Sequence, residues 1–364
     1  MRFLDTIAAL PLCFALAMAG CASTPVAQEP APMPSSKALV IGHRGASALR
    51  PEHTLAAYAK AIEDGADLIE PDLVSTRDGV LVARHENEIS GTTDVAQRPE
   101  FASRKATKTI DGERVTGWFT EDFTLAELKT LRARERLPEL RSTAYDGRYE
   151  IATLEDIIAL AAEASAKQRR SIGLAPEIKH PTHFAALGLP MEAKLLETLR
   201  AHPHTRVAPV VIQSFETANL RELRRGIESG SNISLLQLLG GKHERPYDTI
   251  AAGNPTDYGA MMTADGLREI ATYADAIGPA YRDLDPANGR SRLVDEAHAA
   301  GLRVIVYTFR PENHFLEDAY RGEGGATARH DLGSVRQIRA YLALGIDAFF
   351  TDDPALGRRA VDGD

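Results

Sequence analysis

Residues 67–86, DLIEPDLVSTRDGVLVARHE, decide the fold. The apolar run at 67–73 reads as one strand and 80–84 as a second, with only the 74–79 link and its Asp78-Gly79 turn signal between them. A parallel crossover needs about a dozen residues or more, so the second segment must return antiparallel as a hairpin. Strand side chains alternate between faces, which puts Glu70 and Asp72 on the same one. The hairpin then brings His85 back over the end of the strand that carries those two carboxylates.

The same arrangement recurs outward from this stretch. The run 38–42 ends in His43-Arg44-Gly45, and the run 172–178 ends in Glu177-Ile178-Lys179, where Glu177 and Lys179 share a face. Further candidate strands lie at 207–213, 233–238, 274–278, 302–308 and 346–351, giving eight with the first three. Helical patterns at 54–64, 154–162, 191–199, 218–227, 292–300 and 335–344 fall between them. In the first, Leu55, Tyr58 and Ile62 share a face and Gly65 follows as a stop. Strands alternating with helices imply a parallel sheet, and eight units imply closure into an α/β TIM barrel, (β/α)8, whose strand ends converge on one functional face. Residues 91–150 have few long apolar runs and read as an insertion beside that face, with one helix at 125–133.

A net charge of −9 with 44% hydrophobic residues fits a soluble enzyme with one large domain, here 37–358, followed by a short C-terminal tail at 359–364. The absence of a Lys/Arg run argues against nucleic-acid binding, whereas a small anionic substrate needs only local cations. Residues 1–21 read as an export signal: Arg2, an apolar stretch at 7–19, then small residues before Cys21. That stretch is too short for a transmembrane anchor. The Pro-, Ala- and Ser-rich 22–36 reads as a flexible tether. Both cysteines, Cys13 and Cys21, precede it, so the body has no disulfide framework and no thiolate metal site. Met18-Ala19-Gly20-Cys21 resembles a bacterial lipobox, which implies lipidation at Cys21 and an exported, periplasmic lipoprotein tethered to a membrane. The alternative is an ordinary cleaved signal with an incidental cysteine.

Glu70, Asp72 and Glu177, oxygen donors with no thiol among them, suit a hard divalent ion. Alone, an E-x-D on a strand is more often a solvated edge or an ion-pair partner; the neighbouring histidines and Lys179 reverse that reading. His43 and His85 are candidates for proton transfer near neutral pH. The remaining nine of the 11 histidines read as structural or exposed, with His180, next to Lys179, the least secure of them. Arg44 offers a planar fork and Lys179 a compact charge, both suited to phosphate oxygens.

The segments GHRGASALRPEHTLAAY (42–58), DLIEPDLVSTRDGVLVARHENEISGTTDV (67–95), FTLAELKTL (123–131), APEIKHP (175–181), VIQSF (211–215), IGPAY (277–281), VIVYTFRPEN (304–313) and FFTDDP (349–354) together resemble the glycerophosphodiester phosphodiesterases. The resemblance runs in family order from about residue 38 to 355. It implies a metal-dependent barrel enzyme that hydrolyses a glycerophosphodiester to sn-glycerol 3-phosphate and an alcohol. Ca²⁺ is the expected ion and Mg²⁺ the alternative, held by Glu70, Asp72 and Glu177. His43 and His85 become the acid/base pair, in an order left open, with the glycerol 2-hydroxyl attacking phosphorus to form a cyclic phosphate that water opens. Arg44 and Lys179 become phosphate ligands, and Glu52 falls near the glycerol position, although a carboxylate there equally suits the helix N-terminus that follows it. Phe215, Tyr281, Tyr307 and Phe309, near later strand ends, are candidate pocket walls or core residues. One departure stands out: the family's second histidine is usually followed by Asp, and here by Glu86. Two other functions remain in view. Phospholipase D-type action on intact phospholipids calls for an apolar rim at the barrel mouth, and a non-catalytic ligand-binding lipoprotein would have lost one of the two histidines or three carboxylates.

Overall fold

The computed structural model describes residues 37–284, 286 and 289–363. The export signal, Cys21 and the tether lie outside the described residues. In chain order the strands are β1 Leu39–His43, β2 Leu68–Glu70, β3 Asp72–Ser75, β4 Leu81–Ala83, β5 Ala106–Ile110, β6 Glu113–Gly117, β7 Gly173–Leu174, β8 Glu177–Ile178, β9 Val210–Ser214, β10 Ile233–Leu239, β11 Ala276–Pro279, β12 Arg303–Phe309 and β13 Ala348–Thr351. Parallel pairing runs β1, β2, β7, β9, β10, β11, β12, β13 and back to β1, a closed eight-stranded barrel. Helices including Leu55–Glu63, Leu154–Gln168, Glu192–Ala201, Ala218–Gly226, Arg292–Ala299 and Asp331–Leu342 occupy the crossovers.

Strand alternation divides the core in two. Ile41, Leu68, Val211, Leu236, Ile305 and Phe350 belong to a cluster inside the barrel, while Val40, Ile69, Ile212, Leu235, Val304 and Phe349 pack outward with the helices. The two expected strands at 67–73 and 172–178 are each broken, at Pro71 and at Ala175-Pro176, because proline has no N–H to give the ladder. Beyond the breaks, β3 and β8 pair again, with Asp72 opposite Glu177 and Leu73 opposite Ile178. On either side of them His43 lies opposite Glu70, and Glu177 opposite Gln213. The proposed chemistry therefore sits on adjacent strands, in register.

The expected hairpin is present: β3 and β4 are antiparallel, with Leu73 opposite Ala83. The insertion contains a second hairpin, β5 with β6, turning at Asp111 and Gly112. Both turn residues have positive φ, 48° and 88°, the geometry that favours an Asp-Gly pair in a tight hairpin. The helix expected at 125–133 is shorter, Leu125–Leu128, opened by a Thr124/Glu127 capping box. The strand expected from 207 begins at Val210, and Val207 is 78% exposed. Residues 359–362 are not a free tail: they continue the helix Pro354–Asp362, whose N-terminus is capped by Asp353 accepting from the Leu356 N–H.

Candidate active site

Glu70, Asp72 and Glu177 are all buried, and each offers a carboxylate oxygen within 4.8 Å of the other two. Burial and the charge of Asp72 push Glu70 well above the usual carboxylate range. Burial likewise raises Glu177 to about 8, against the pull of Lys179, whose Nζ is 2.9 Å from Glu177 Oε1. Asp72 stays well below the usual range despite its burial, held there by His53, His85 and Lys179. Its Oδ1 has no hydrogen-bond partner, whereas Oδ2 meets His53 Nε2 at 2.8 Å. Three crowded oxygen donors, two of them costly to ionise without a cation and one with an unsatisfied oxygen, fit a hard divalent ion.

His53, read from sequence as structural, is fully buried and supports this set. Its Nδ1 is 2.8 Å from the Tyr58 hydroxyl, so the ring is fixed at both nitrogens between that helix and Asp72.

His43 Nδ1 lies 2.6 Å from Asp352 Oδ1. Arg141 Nη2 (2.6 Å) and Arg310 Nε (3.0 Å) both donate to Asp352 Oδ2. Arg141 also pairs with Glu312 at 2.8 Å and donates to the Ser47 carbonyl at 3.0 Å. Burial and Arg44 lower His43 to about 4, against the opposing pull of Asp352. His85 is lowered further, to about 3, by burial, Arg44 and Lys179. Glu86 Oε1 is 2.6 Å from His85 Nδ1, but the nitrogen makes no hydrogen bond, so the contact is electrostatic and out of line. The extra methylene of Glu86 is used: Oε2 reaches His180 Nε2 at 3.1 Å, and His180 Nδ1 meets Asp111 Oδ2, at the insertion's hairpin turn, at 2.5 Å. Asp111 and Glu86 outweigh burial and raise His180 to about 9, which keeps that ring cationic.

Arg44 adopts φ 56°, a conformation rare for a side chain of this size, and its backbone N–H donates to Glu70 Oε2 at 2.7 Å. Only glycine fits the next position, where a Cβ would come within 2.5 Å of the Ala57 backbone. Arg44 Nη1 donates to Glu52 Oε2 at 2.9 Å, and Arg136 grips the same carboxylate at 2.9 and 2.6 Å. Glu52 thus lies behind Arg44, clamped between two guanidinium groups, and does not line the cavity in front of the histidines.

That cavity, of about 150 Å³, is lined by His43, Arg44, Glu70, His85 and Glu177, with Phe215 and Tyr307 as aromatic walls. Tyr281 and Phe309 are not part of it. They stack on each other at 4.7 Å and pack with Tyr341 in the core: Tyr281 opens a short 3-10 turn after β11, and the register of β12 shifts between Val306 and Phe309, which takes Phe309 off the face shared by Ile305 and Tyr307. Asp352, Arg310 and Gln213 were quoted in the motifs without a role; their signal was position alone, just after an apolar run or at its end. Arg136 and Arg141 come from the insertion, and nothing in their local sequence distinguishes them.

A family model described as the glycerophosphoryl diester phosphodiesterase family matches residues 43–356. The chain is 33% identical to a glycerophosphodiester phosphodiesterase of Arabidopsis thaliana, over 94% of this chain and 92% of that protein. It is 29% identical to one of Haemophilus influenzae, over 88% of this chain and 93% of that protein. Among solved structures it is similar to an Oleispira antarctica phosphodiesterase in complex with the product sn-glycerol-3-phosphate, at TM-score 0.58 and 19% identity, covering 90% of this chain and 97% of that one. Barrel and relatives agree, and the chain belongs to the glycerophosphoryl diester phosphodiesterase family.

Proposed function

We propose that this phosphodiesterase cleaves glycerophosphodiesters to sn-glycerol 3-phosphate and an alcohol, using a divalent cation held by Glu70, Asp72 and Glu177 and proton transfer by His43 and His85. The observation that carries this reading is one cavity combining residues of a crowded, buried carboxylate set with two imidazoles and the guanidinium of Arg44. Ca²⁺ is the proposed ion and Mg²⁺ the alternative, since all three donors are hard oxygens. When bound, the cation would neutralise charge on the non-bridging phosphate oxygens.

The chain's own residues supply the rest. One imidazole, neutral, takes the proton of the glycerol 2-hydroxyl as its oxygen bonds to phosphorus; the bond to the alcohol oxygen breaks, and that oxygen takes a proton from the other imidazole, which enters the step protonated. Water then opens the cyclic phosphate with the roles reversed. Asp352 accepts from His43 Nδ1, which leaves Nε2 as the proton-accepting atom. Arg44 faces developing negative charge with fixed positive charge, while Lys179, paired with Glu177, lines the neighbouring cavity. A soluble diester is favoured over an intact phospholipid because, of the large apolar side chains exposed among the described residues, only Ile250 lines a cavity at the site. A purely binding role is disfavoured by the presence of both histidines and all three carboxylates.

Release of glycerol 3-phosphate from glycerophosphocholine by the purified protein, abolished by excess chelator and restored by Ca²⁺ or Mg²⁺, is the expected result. Full turnover in chelator would overturn the metal role. We further propose export and tethering through a lipidated Cys21, on the strength of the N-terminal sequence alone. Cys21→Ser is expected to move the protein from the membrane fraction to the soluble one with catalysis unchanged, and mass analysis showing an unmodified Cys21 would refute it.

A further inference from the structure

Beside the catalytic cavity lies a larger one of about 550 Å³, and Glu177 and Phe215 line both. An extended diester with its phosphate at the histidines therefore has a cavity beside it in which its leaving alcohol can lie. The wall of this second cavity is aromatic and acidic. Phe215 and Tyr258 both line it and meet edge to face at 6.3 Å, and Tyr258 donates a 3.1 Å hydrogen bond to the Phe215 carbonyl.

Glu216 also lines this wall, only 4% exposed. Its carboxylate accepts from the Thr182 hydroxyl and, at 3.4 Å, from the Thr182 N–H, and among the described residues it has no cationic partner. Burial raises it to about 7, as expected of a carboxylate taken from water without a compensating charge. The cavity's cations are committed elsewhere. Lys179 pairs with Glu177 and lies over the Phe215 ring at 5.7 Å, His180 pairs with Glu86 and Asp111, and Arg245, on the exposed rim, donates to the Asn254 carbonyl. A buried carboxylate without a cation, next to aromatic rings, is a site short of one positive charge.

We infer that this cavity holds the leaving alcohol of the diester and selects alcohols that carry an ammonium group, with Glu216 as the counter-charge and Phe215 and Tyr258 as the aromatic wall. The inference rests on the function proposed above and adds the class of head group. It is tested by comparing kcat/KM for glycerophosphocholine and for glycerophosphoglycerol, which differ in the charge of the leaving alcohol, in the parent protein and in Glu216→Gln. Glutamine keeps the shape and the Thr182 contact while removing the charge. The parent is expected to prefer glycerophosphocholine by about tenfold, and Glu216→Gln to lose about that factor on glycerophosphocholine with little change on glycerophosphoglycerol. Equal rates on both substrates in the parent, or equal losses on both in the variant, would overturn the inference while leaving the hydrolase reading intact. Failure to cleave either diester would overturn the hydrolase reading itself.

Discussion

The two histidines face one cavity but are held by different kinds of structure. His43 ends β1, and its partner Asp352 follows β13, the strand beside it; Arg141 and Arg310 then close a network around that carboxylate. His85 follows the short β4, and the acid that pairs with it, Glu86, touches the ring off-line and is tied through His180 to Asp111 at the hairpin turn of the insertion. One ring is oriented by a hydrogen bond built into the barrel, the other by charge relayed from an excursion. The difference teaches that the two sides of the site can be perturbed separately.

The largest effects test whether both rings are needed at all. His43→Ala and His85→Ala are each expected to lower kcat by roughly two or more orders of magnitude with folding intact by circular dichroism. Near-normal turnover in either variant would remove that histidine from the chemistry and dissolve the comparison. Next comes Asp352→Asn, expected to cost about ten- to a hundredfold in kcat with little change in KM, because the amide keeps the volume but no longer fixes the Nδ1 proton of His43. A loss confined to KM would mean that Asp352 serves binding instead.

The strands and the acidic set were legible in the sequence because both depend on local pattern. Apolar runs end where charged residues begin, and alternation alone puts Glu70 with Asp72 and Glu177 with Lys179. The support was not legible. Arg141 meets Asp352 across 211 positions of sequence, and Arg136 meets Glu52 across 84, from an insertion with no periodicity to place them. The aromatic residues divide for a related reason: Phe215 and Tyr307 reach the cavity while Tyr281 and Phe309 join the core, because Tyr281 falls in a turn beyond β11 and a register shift in β12, which alternation does not foresee, separates Phe309 from Tyr307. Glu86 looked like a departure from the family pattern; in the fold its length lets one carboxylate touch two histidines.

That bridge gives a smaller, sharper test. Glu86→Ala is expected to lower kcat by less than Asp352→Asn, about three- to tenfold, since an off-line contact orients a ring less firmly than a hydrogen bond. Glu86→Asp separates the two contacts. If closeness to His85 is what matters, it keeps parent activity; if the link to His180 matters, it falls with Glu86→Ala. Parent-like turnover in Glu86→Ala at saturating metal would leave the carboxylate without a role.

The smallest effect is a shift along the pH axis. Burial and nearby cations disfavour the charged form of both rings, so His43 protonates near 4 and His85 near 3, each below the ordinary value of 6.5. With metal saturating, the competent pair holds one proton, carried first by His43, so kcat/KM should rise as the pH falls from 8 toward about 4. Asp352 raises the pKa of His43, so Asp352→Asn should move this limb to lower pH even as it lowers the maximum. Glu86 raises the pKa of His85 in the same way, but His85 titrates second, so Glu86→Gln should leave the limb where it is. A limb that follows Glu86→Gln and ignores Asp352→Asn would reverse the assignment and make His85 the ring whose protonation limits the free enzyme.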